Sequence, residues 1–565
     1  MDEKENETTK NKLGVSRREF IAGTVGGVVV GVVVGTATGS LGFPKTVTQT
    51  LTQTQTQTQT QTQTQTQTQT ATQVLQPWLP GKWDYTADVV VVGLGGAGAA
   101  AALMASAAGS KVLVLEKDIA PNGGDSSLAH GSFCAAGTIL QTSKGITDTP
   151  QLMANFLNKV GGGNTDPNLV LTYAQNSADA WLWLANIIGA QLGVTDVTKY
   201  PAMWEAPGFS GGGGAGSMIT PSDVIPRSAS FLGVAPLSAY GVGQWQAVYN
   251  TVKKDPNITV LISTTATKLL QNSQNNMVIG VQATTGTGTI NAKASKGVVI
   301  TCGDFSHNDQ MALAYNPLIY YGIKNTAAGD TGDGIRLGQG AGADLTGFGG
   351  AACGVRGLAG TTLSTTKTIW VNRYGQRFEN ETAQSIANSA LQPWQVCGWV
   401  SESAGFPLYN QDQMKGWAIF DDAGKGTNTT TTPVVSASTI AGLAAAIGVN
   451  PDSLTATVNQ WNKDQANSVD TLFGRPINFF PLTTPPYYAA PLTWSISGMG
   501  GGLKINTKTQ VLDTSGNVIP HLYAAGASAG GIIGRIMQIQ GVPLGAAYTM
   551  GRIAGTTASK ETAWQ

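Results

Sequence analysis

The chain has 565 residues with 33 basic and 33 acidic side chains, so its formal net charge is zero. Only 12% of positions are charged, against roughly 25% in an ordinary soluble protein, while Gly supplies 73 residues. That balance excludes a basic nucleic-acid-binding surface and an acidic solvating chain, and 41% apolar residues leave material for a large core of two or three folded units.

Residues 1–45 read as a targeting segment. A polar start leads to Ser16-Arg17-Arg18-Glu19-Phe20-Ile21, followed by an uncharged run to Phe43. The pattern resembles a twin-arginine export signal, which carries proteins already folded with their cofactor. The run would be roughly 36 Å long as a helix, enough for a bilayer core of about 30 Å. It therefore reads either as a removed signal or as a retained membrane anchor, giving a periplasmic or cell-surface protein. Residues 46–80 follow, an almost pure Thr-Gln alternation up to Thr72. Period two suits a strand, yet both faces would be polar, so an unstructured tether to the envelope is expected.

Folded sequence begins near Trp83. The run Ala87–Val92 predicts a buried strand, Ala99–Ala108 a small-residue helix, and Lys111–Leu115 a second strand, which together make a βαβ unit. Helical patterns fill 150–190, and strands are expected at Ile258–Thr264, Met277–Thr284 and Gly297–Thr301. Between them the first strand and helix enclose Gly93-Leu94-Gly95-Gly96-Ala97-Gly98. Gly93 permits the tight turn, Gly95 the approach of a pyrophosphate, and Gly98 close helix–strand packing. The helix N-terminus offers N–H donors to phosphate. Glu116 and Lys117 end the second strand, with Glu116 placed to accept ribose hydroxyls.

Five further blocks identify the dinucleotide. They are Asn122–Ser132, Val298–Phe305, Gly332–Gly334 with Gly340–Ala343, Val371–Glu381, and Leu522–Gly526 through Gly551-Arg552. In this order they resemble the flavoproteins that include soluble fumarate reductases, succinate dehydrogenase flavoprotein subunits and 3-ketosteroid dehydrogenases. The resemblance implies an α/β architecture in which a Rossmann-like FAD-binding domain (81–345 and 486–565) carries an inserted α+β cap, or substrate, domain (346–485). It implies FAD held by Gly93, Gly95, Gly96, Ala97, Gly98, Glu116, Lys117, Gly124, Asp125, Ser126, Ser127, Gly131, Ser132, Gly303, Asp333, Gly526, Gly545 and Ala546. Gly545 and Ala546 would bring N–H groups to the flavin C2 carbonyl. Asp125 stands where some relatives carry a flavin-linking His, so the FAD is expected to be non-covalent.

The same resemblance argues against fumarate. Thr382–Ile386 hold no Arg where one is implied, Ser497 or Gly498 replaces a His, and Gln538 replaces another Arg. The ending Gly541–Gly551 looks more like the ketosteroid dehydrogenase branch, with Gly541 as the N–H donor to a ketone, but Met537 replaces the partner Tyr. The catalytic candidates are thus Arg535, Gly541, His130 and Arg356. Arg535 and Arg356 suit a carboxylate, and His130 suits proton transfer. Arg377 and Glu381 read as a structural pair. Three His residues make a His-based metal site unexpected. Cys134, Cys302, Cys353 and Cys397 are too far apart for a redox pair, and are expected as buried thiols unless Cys353 and Cys397 join. Electrons must therefore pass to or from a separate partner. The expected activity is hydride exchange between flavin N5 and a carbon–carbon bond beside a carbonyl or carboxyl. Enones, unsaturated acids and steroid-like molecules are the substrate classes. The alternatives are a ketosteroid Δ-dehydrogenase and an electron-relay flavoprotein without substrate chemistry.

Overall fold

The computed structural model describes residues 48–56, 66–74, 79–129, 131–161, 163–199, 203–206, 225, 227–231, 235–238, 240–357, 367–381, 408, 411–425, 434–475, 479–534 and 541–564. Residues 1–45, expected to be a twin-arginine signal, lie outside them. The chain divides into Met1–Pro77 and Trp78–Gln565. In the first unit, β1 (Thr48–Thr56) and β2 (Thr66–Val74) pair antiparallel, with Thr50 opposite Thr72 and Gln53 opposite Gln69. The tract expected to remain an unstructured tether holds these two paired strands. Its two-residue period sets like against like across the ladder, so backbone pairing needs no apolar face.

The second unit opens with β3 (Tyr85–Val92), α1 (Gly96–Ala107) and β4 (Val112–Leu115), the expected βαβ unit. All four residues of β4 are buried and Val89, Val90 and Val91 have no exposure, as befits strands covered on both faces. Next come β5 (Ser132–Cys134), α2 (Pro167–Leu192) and α3 (Tyr240–Lys254). Asp166 caps α2 by accepting from Asn168 and Leu169, and Gly193 closes it in the left-handed region. The strands β6 (Ile258–Leu261), β7 (Thr265–Gln271), β8 (Val278–Thr285) and β9 (Gly288–Ile300) follow. β9 is far longer than the expected Gly297–Thr301. Its polar first half pairs antiparallel with β8, and its apolar second half runs parallel to β3.

A second sheet is built from β10 (Ala351–Gly357), β11 (Ile369–Asn372), β12 (Gly416–Asp421) and β13 (Tyr487–Met499), with the helix α4 (Pro451–Ala466) in the same region. β13 pairs with both β10 and β12. The cap sheet therefore runs to Met499, past the boundary expected at 485, because the aromatic and Pro-rich run 485–499 pairs within the cap. The chain then returns to the first sheet with β14 (Gln510–Leu512), β15 (Val518–Ala524) and α5 (Val542–Ser559). The first sheet's order is β14-β15-β9-β3-β4-β6, and all these neighbours are parallel except β14 with β15.

Two glycines make α5 the close partner of α1. A Cβ at Gly551 would lie 2.3 Å from the Ala97 carbonyl oxygen, and one at Gly555 2.1 Å from that of Ala101. The expected Arg377–Glu381 pair is present inside the cap and is larger than anticipated. Arg377 grips Glu381 with two bonds of 2.8 Å and Asp470 at 3.0 Å, while Arg475 reaches Glu381 at 3.0 Å. Both guanidinium groups lie over the Trp461 ring, 4.8 and 4.9 Å from its centre.

Candidate active site

β3 ends in a turn that only glycine can make. Gly93 has φ +96°, and a Cβ there would sit 2.5 Å from the Thr301 carbonyl oxygen. Gly98 has no room either, its Cβ meeting the Gly93 oxygen at 2.0 Å. Gly95 starts α1 with no side-chain cap, so first-turn N–H groups are left to other acceptors. One of them, Gly96 N–H, donates to the Ser126 hydroxyl at 2.9 Å. A Cβ on Gly124 would meet nothing within 4 Å, so this side of the loop stands open. Ser127 donates to Gly124 O at 2.9 Å.

The strand-end residues hold the turn itself. Glu116 accepts from Leu94 N–H at 2.7 Å and from Asp118 N–H at 2.9 Å. Lys117 and Asp333, both expected at the cofactor, pair with each other at 2.6 Å. Gly526 packs its Cα toward Ala97, where a Cβ would fall 2.9 Å from that side chain. The Trp245 indole lies across Gly123 and donates to Leu94 O at 3.2 Å.

The other half of the site is where α5 begins. Gly541 has φ +91° and sits directly against β5, its Cβ position 2.8 Å from Cys134 N and 3.0 Å from Ser132 C. Its carbonyl accepts from Cys134 N–H at 3.0 Å. Ser132, expected at the cofactor, and Gly541, a catalytic candidate, are thus brought together. The Gly545 and Ala546 expectation changes. Gly545 N–H donates to Gly541 O at 2.8 Å within the helix, and Ala546 lies deeper in α5. With Pro543 carrying no N–H, the helix-start donors are those of Gly541, Val542 and Leu544. Gly131 is tied down by Gln244, whose amide donates to its carbonyl.

Of the four catalytic candidates, His130 and Arg535 lie outside the described residues. Arg356 stands in β10 opposite Thr493, in the cap sheet. Gly303, expected at the cofactor, has φ +77° and presses on the Asp330 carboxylate. Asp125 turns its carboxylate to Ala327 N–H at 2.7 Å.

Asp125, Asp304 and Asp330 meet with oxygens within 4.8 Å of one another. Burial and the neighbouring Asp125 charge push Asp304 up to about 7, and burial with both other acids pushes Asp330 up to about 11. Burial raises Asp125 as well. Burial also pushes the Cys302 thiol up to about 12. Sequence reasoning missed Asp304 and Asp330, which no motif joins in the chain. Gln244, Trp245 and Tyr548 were missed for a different reason, since each looks like ordinary helical core.

The residues fit a dinucleotide of the FAD kind. The glycine turn, the uncapped helix and the open face at Gly124 form a phosphate cradle. The buried Tyr548 hydroxyl, beside Gly96, and Gln244 Oε1 have no hydrogen-bond partner, leaving polar capacity for a ligand.

Comparison with known proteins agrees. The FAD binding domain family matches residues 88–544. Digoxin reductase of Eggerthella lenta is 29% identical over 492 residues, covering 80% of this chain and 82% of that protein. The cytochrome-type fumarate reductase of Shewanella frigidimarina is 30% identical over 484 residues, covering 84% and 77%. Among solved structures, the 3-ketosteroid-Δ4-(5α)-dehydrogenase of Rhodococcus jostii with 4-androstene-3,17-dione superposes with a TM-score of 0.65 at 25% identity. That match covers 85% of this chain and 98% of the dehydrogenase. The chain belongs to the FAD-binding family of these enzymes. It is an FAD-dependent oxidoreductase of the class acting on C=C and CH–CH bonds, with the mixed α/β flavoprotein fold.

Proposed function

We propose that this protein reduces carbon–carbon double bonds conjugated to a ketone or ester carbonyl in bulky, weakly charged molecules, with electrons from a separate donor. The carrying observation is the start of α5. Gly541 is held in the left-handed region against β5, and no described residue accepts its N–H. A helix start carries roughly half a positive charge. An oxygen placed there is polarised without a cationic side chain, which suits a neutral carbonyl better than a dicarboxylate.

Bound FAD supplies hydride transfer at the flavin N5. The chain's own residues do the rest. Gly541 N–H draws electron density from the substrate carbonyl, making the conjugated β-carbon receptive. Arg535 orients a second polar group, and His130 carries the proton for the adjacent carbon. Thr382–Ile386, Ser497 or Gly498, and Gln538 withhold the cations that would grip two carboxylates. The name of digoxin reductase and the ligand 4-androstene-3,17-dione support a large carbonyl-bearing substrate. We also propose twin-arginine export, with residues 1–45 as signal or anchor, on the strength of Ser16-Arg17-Arg18-Glu19-Phe20-Ile21.

The test is anaerobic. Holoprotein reduced with dithionite is mixed separately with fumarate and with 4-androstene-3,17-dione, and flavin absorbance at 450 nm is followed. Reoxidation by the enone and not by fumarate is expected, and Arg535→Ala should slow it. Reoxidation by fumarate alone overturns the reading. Reduction of the oxidised enzyme by a saturated 3-ketosteroid, without the converse, reverses the direction.

A further inference from the structure

We propose that Asp125, Asp304 and Asp330 form a binding site for a hard divalent cation, calcium in particular. The inference is independent of the substrate. Asp304 has no exposure and Asp330 is 4% exposed. One oxygen of each, Asp304 Oδ2 and Asp330 Oδ2, is fully buried with no hydrogen-bond partner. A buried carboxylate oxygen without a donor costs several kcal/mol in general, so each points to a ligand.

The frame is fixed by backbone bonds. Gly332 N–H donates to Asp304 O at 2.9 Å and His307 N–H to Asp330 O at 2.8 Å, so the loops carrying the two acids are laced together. Ser306 N–H holds Asp304 Oδ1 at 2.7 Å, and Ala327 N–H holds Asp125 Oδ1 at 2.7 Å. One oxygen of each acid lies within 4.8 Å of those of the other two. Among the described residues no Lys or Arg makes an ion pair with any of the three. Lys117, the near cation, is already held by Asp333 at 2.6 Å and Thr331 at 2.9 Å.

The donor set decides the ligand class. All three donors are carboxylates, with no sulfur or imidazole in the set, which suits Ca²⁺ or Mg²⁺ rather than a soft metal. Three carboxylates gathered at one point, each with an oxygen within 4.8 Å of the others, suit calcium, which accepts an all-protein oxygen shell, better than magnesium, which keeps several of its waters. Asp125 is only partly buried and gives the ion a way in and a place for water. Ser126, next in the chain, accepts from the α1 start where phosphate is expected. An ion at Asp125 would offset the repulsion that the ionised acids exert on a diphosphate.

The experiment uses FAD-loaded protein. Metal content after purification is measured by plasma mass spectrometry, then EDTA-dialysed holoprotein is titrated with CaCl₂ and with MgCl₂ by calorimetry and thermal melting. The expected result is one calcium site per chain, a melting midpoint that rises with calcium, and at least tenfold weaker magnesium binding. Asp330→Asn and Asp304→Asn should each weaken calcium binding at least tenfold; Asp125→Asn, at the more open position, gives the same readout if the buried variants misfold. Absence of any calcium-dependent heat or melting shift in wild type overturns the proposal. So does a calcium shift that persists undiminished in the Asn variants. Asn variants that melt higher than metal-free wild type, with wild type indifferent to calcium, show a proton-sharing cluster instead.

Discussion

Substituting Gly551 with Ala tests how far the cofactor loop depends on the helix packed behind it. The new Cβ would fall 2.3 Å from Ala97 O and 2.9 Å from Ala97 C, both backbone atoms of the first turn of α1. Ordinary contact starts about 1 Å farther out, so α5 or the start of α1 must retreat by about that much. Overpacking of this kind costs about 1–3 kcal/mol. Ala97 directly follows Gly96, whose N–H holds Ser126 in the phosphate cradle. If the displacement falls wholly on the bound state, FAD affinity drops by roughly 5- to 150-fold. Apoprotein titrated with FAD, with quenching of flavin fluorescence as the signal, measures this directly. Gly286→Ala is the control, because its Cβ would meet nothing within 4 Å. A Gly551→Ala protein with wild-type FAD affinity and melting midpoint would show that the α1–α5 contact does not set the loop.

Ser126→Ala removes the acceptor of Gly96 N–H, and flavin retention through gel filtration should fall, at a cost of about 1–3 kcal/mol if the donor stays buried. Glu381→Gln leaves Arg377 and Arg475 facing a neutral amide, and should destabilise the protein by roughly 3–5 kcal/mol, read from urea midpoints. Burial alone would raise Asp470, but its bonds to the Arg377 guanidinium bring it below the usual carboxylate value. A lowered folded-state value contributes stability that is present above the unfolded value near 3.9 and is lost as pH falls through the lowered one. Melting midpoints scanned downward from pH 5 should therefore fall more steeply in wild type than in Asp470→Asn. Cys302, with its thiol at about 12, should resist iodoacetamide at pH 8 until the protein is unfolded.

The sequence made the cofactor half of the site legible because its geometry is local. Gly93, Gly98 and the strand before them announce a turn that tolerates no side chain, and the structure places them so. Lys117 and Asp333 were legible as residues but not as partners, since 216 positions separate them and only the fold closes that gap. Asp304 and Asp330 carry no periodic signal at all. That Gly545 N–H bonds within the helix was not legible, because the helix start depends on where Gly541 turns left-handed, which spacing alone does not fix. The strand that follows the expected boundary at 485 was illegible for a related reason. The run 487–499 contains Pro491 and small residues, and its strand character comes from neighbours on both sides.

The order in which the chain is made has a bearing on β9 and α5. On the ribosome, β3, α1 and β4 emerge early, yet the second parallel neighbour of β9 is β15, and the surface that covers α1 is α5. The entire cap is synthesised between them. The nucleotide cradle therefore waits, half-lined, until α5 has been added, and cofactor loading follows the synthesis of that helix. A nascent or prematurely terminated chain ending before Val518 would expose the apolar edge of β9 and the Ala-rich back of α1, making it a substrate for chaperones and proteases instead of a low-activity enzyme.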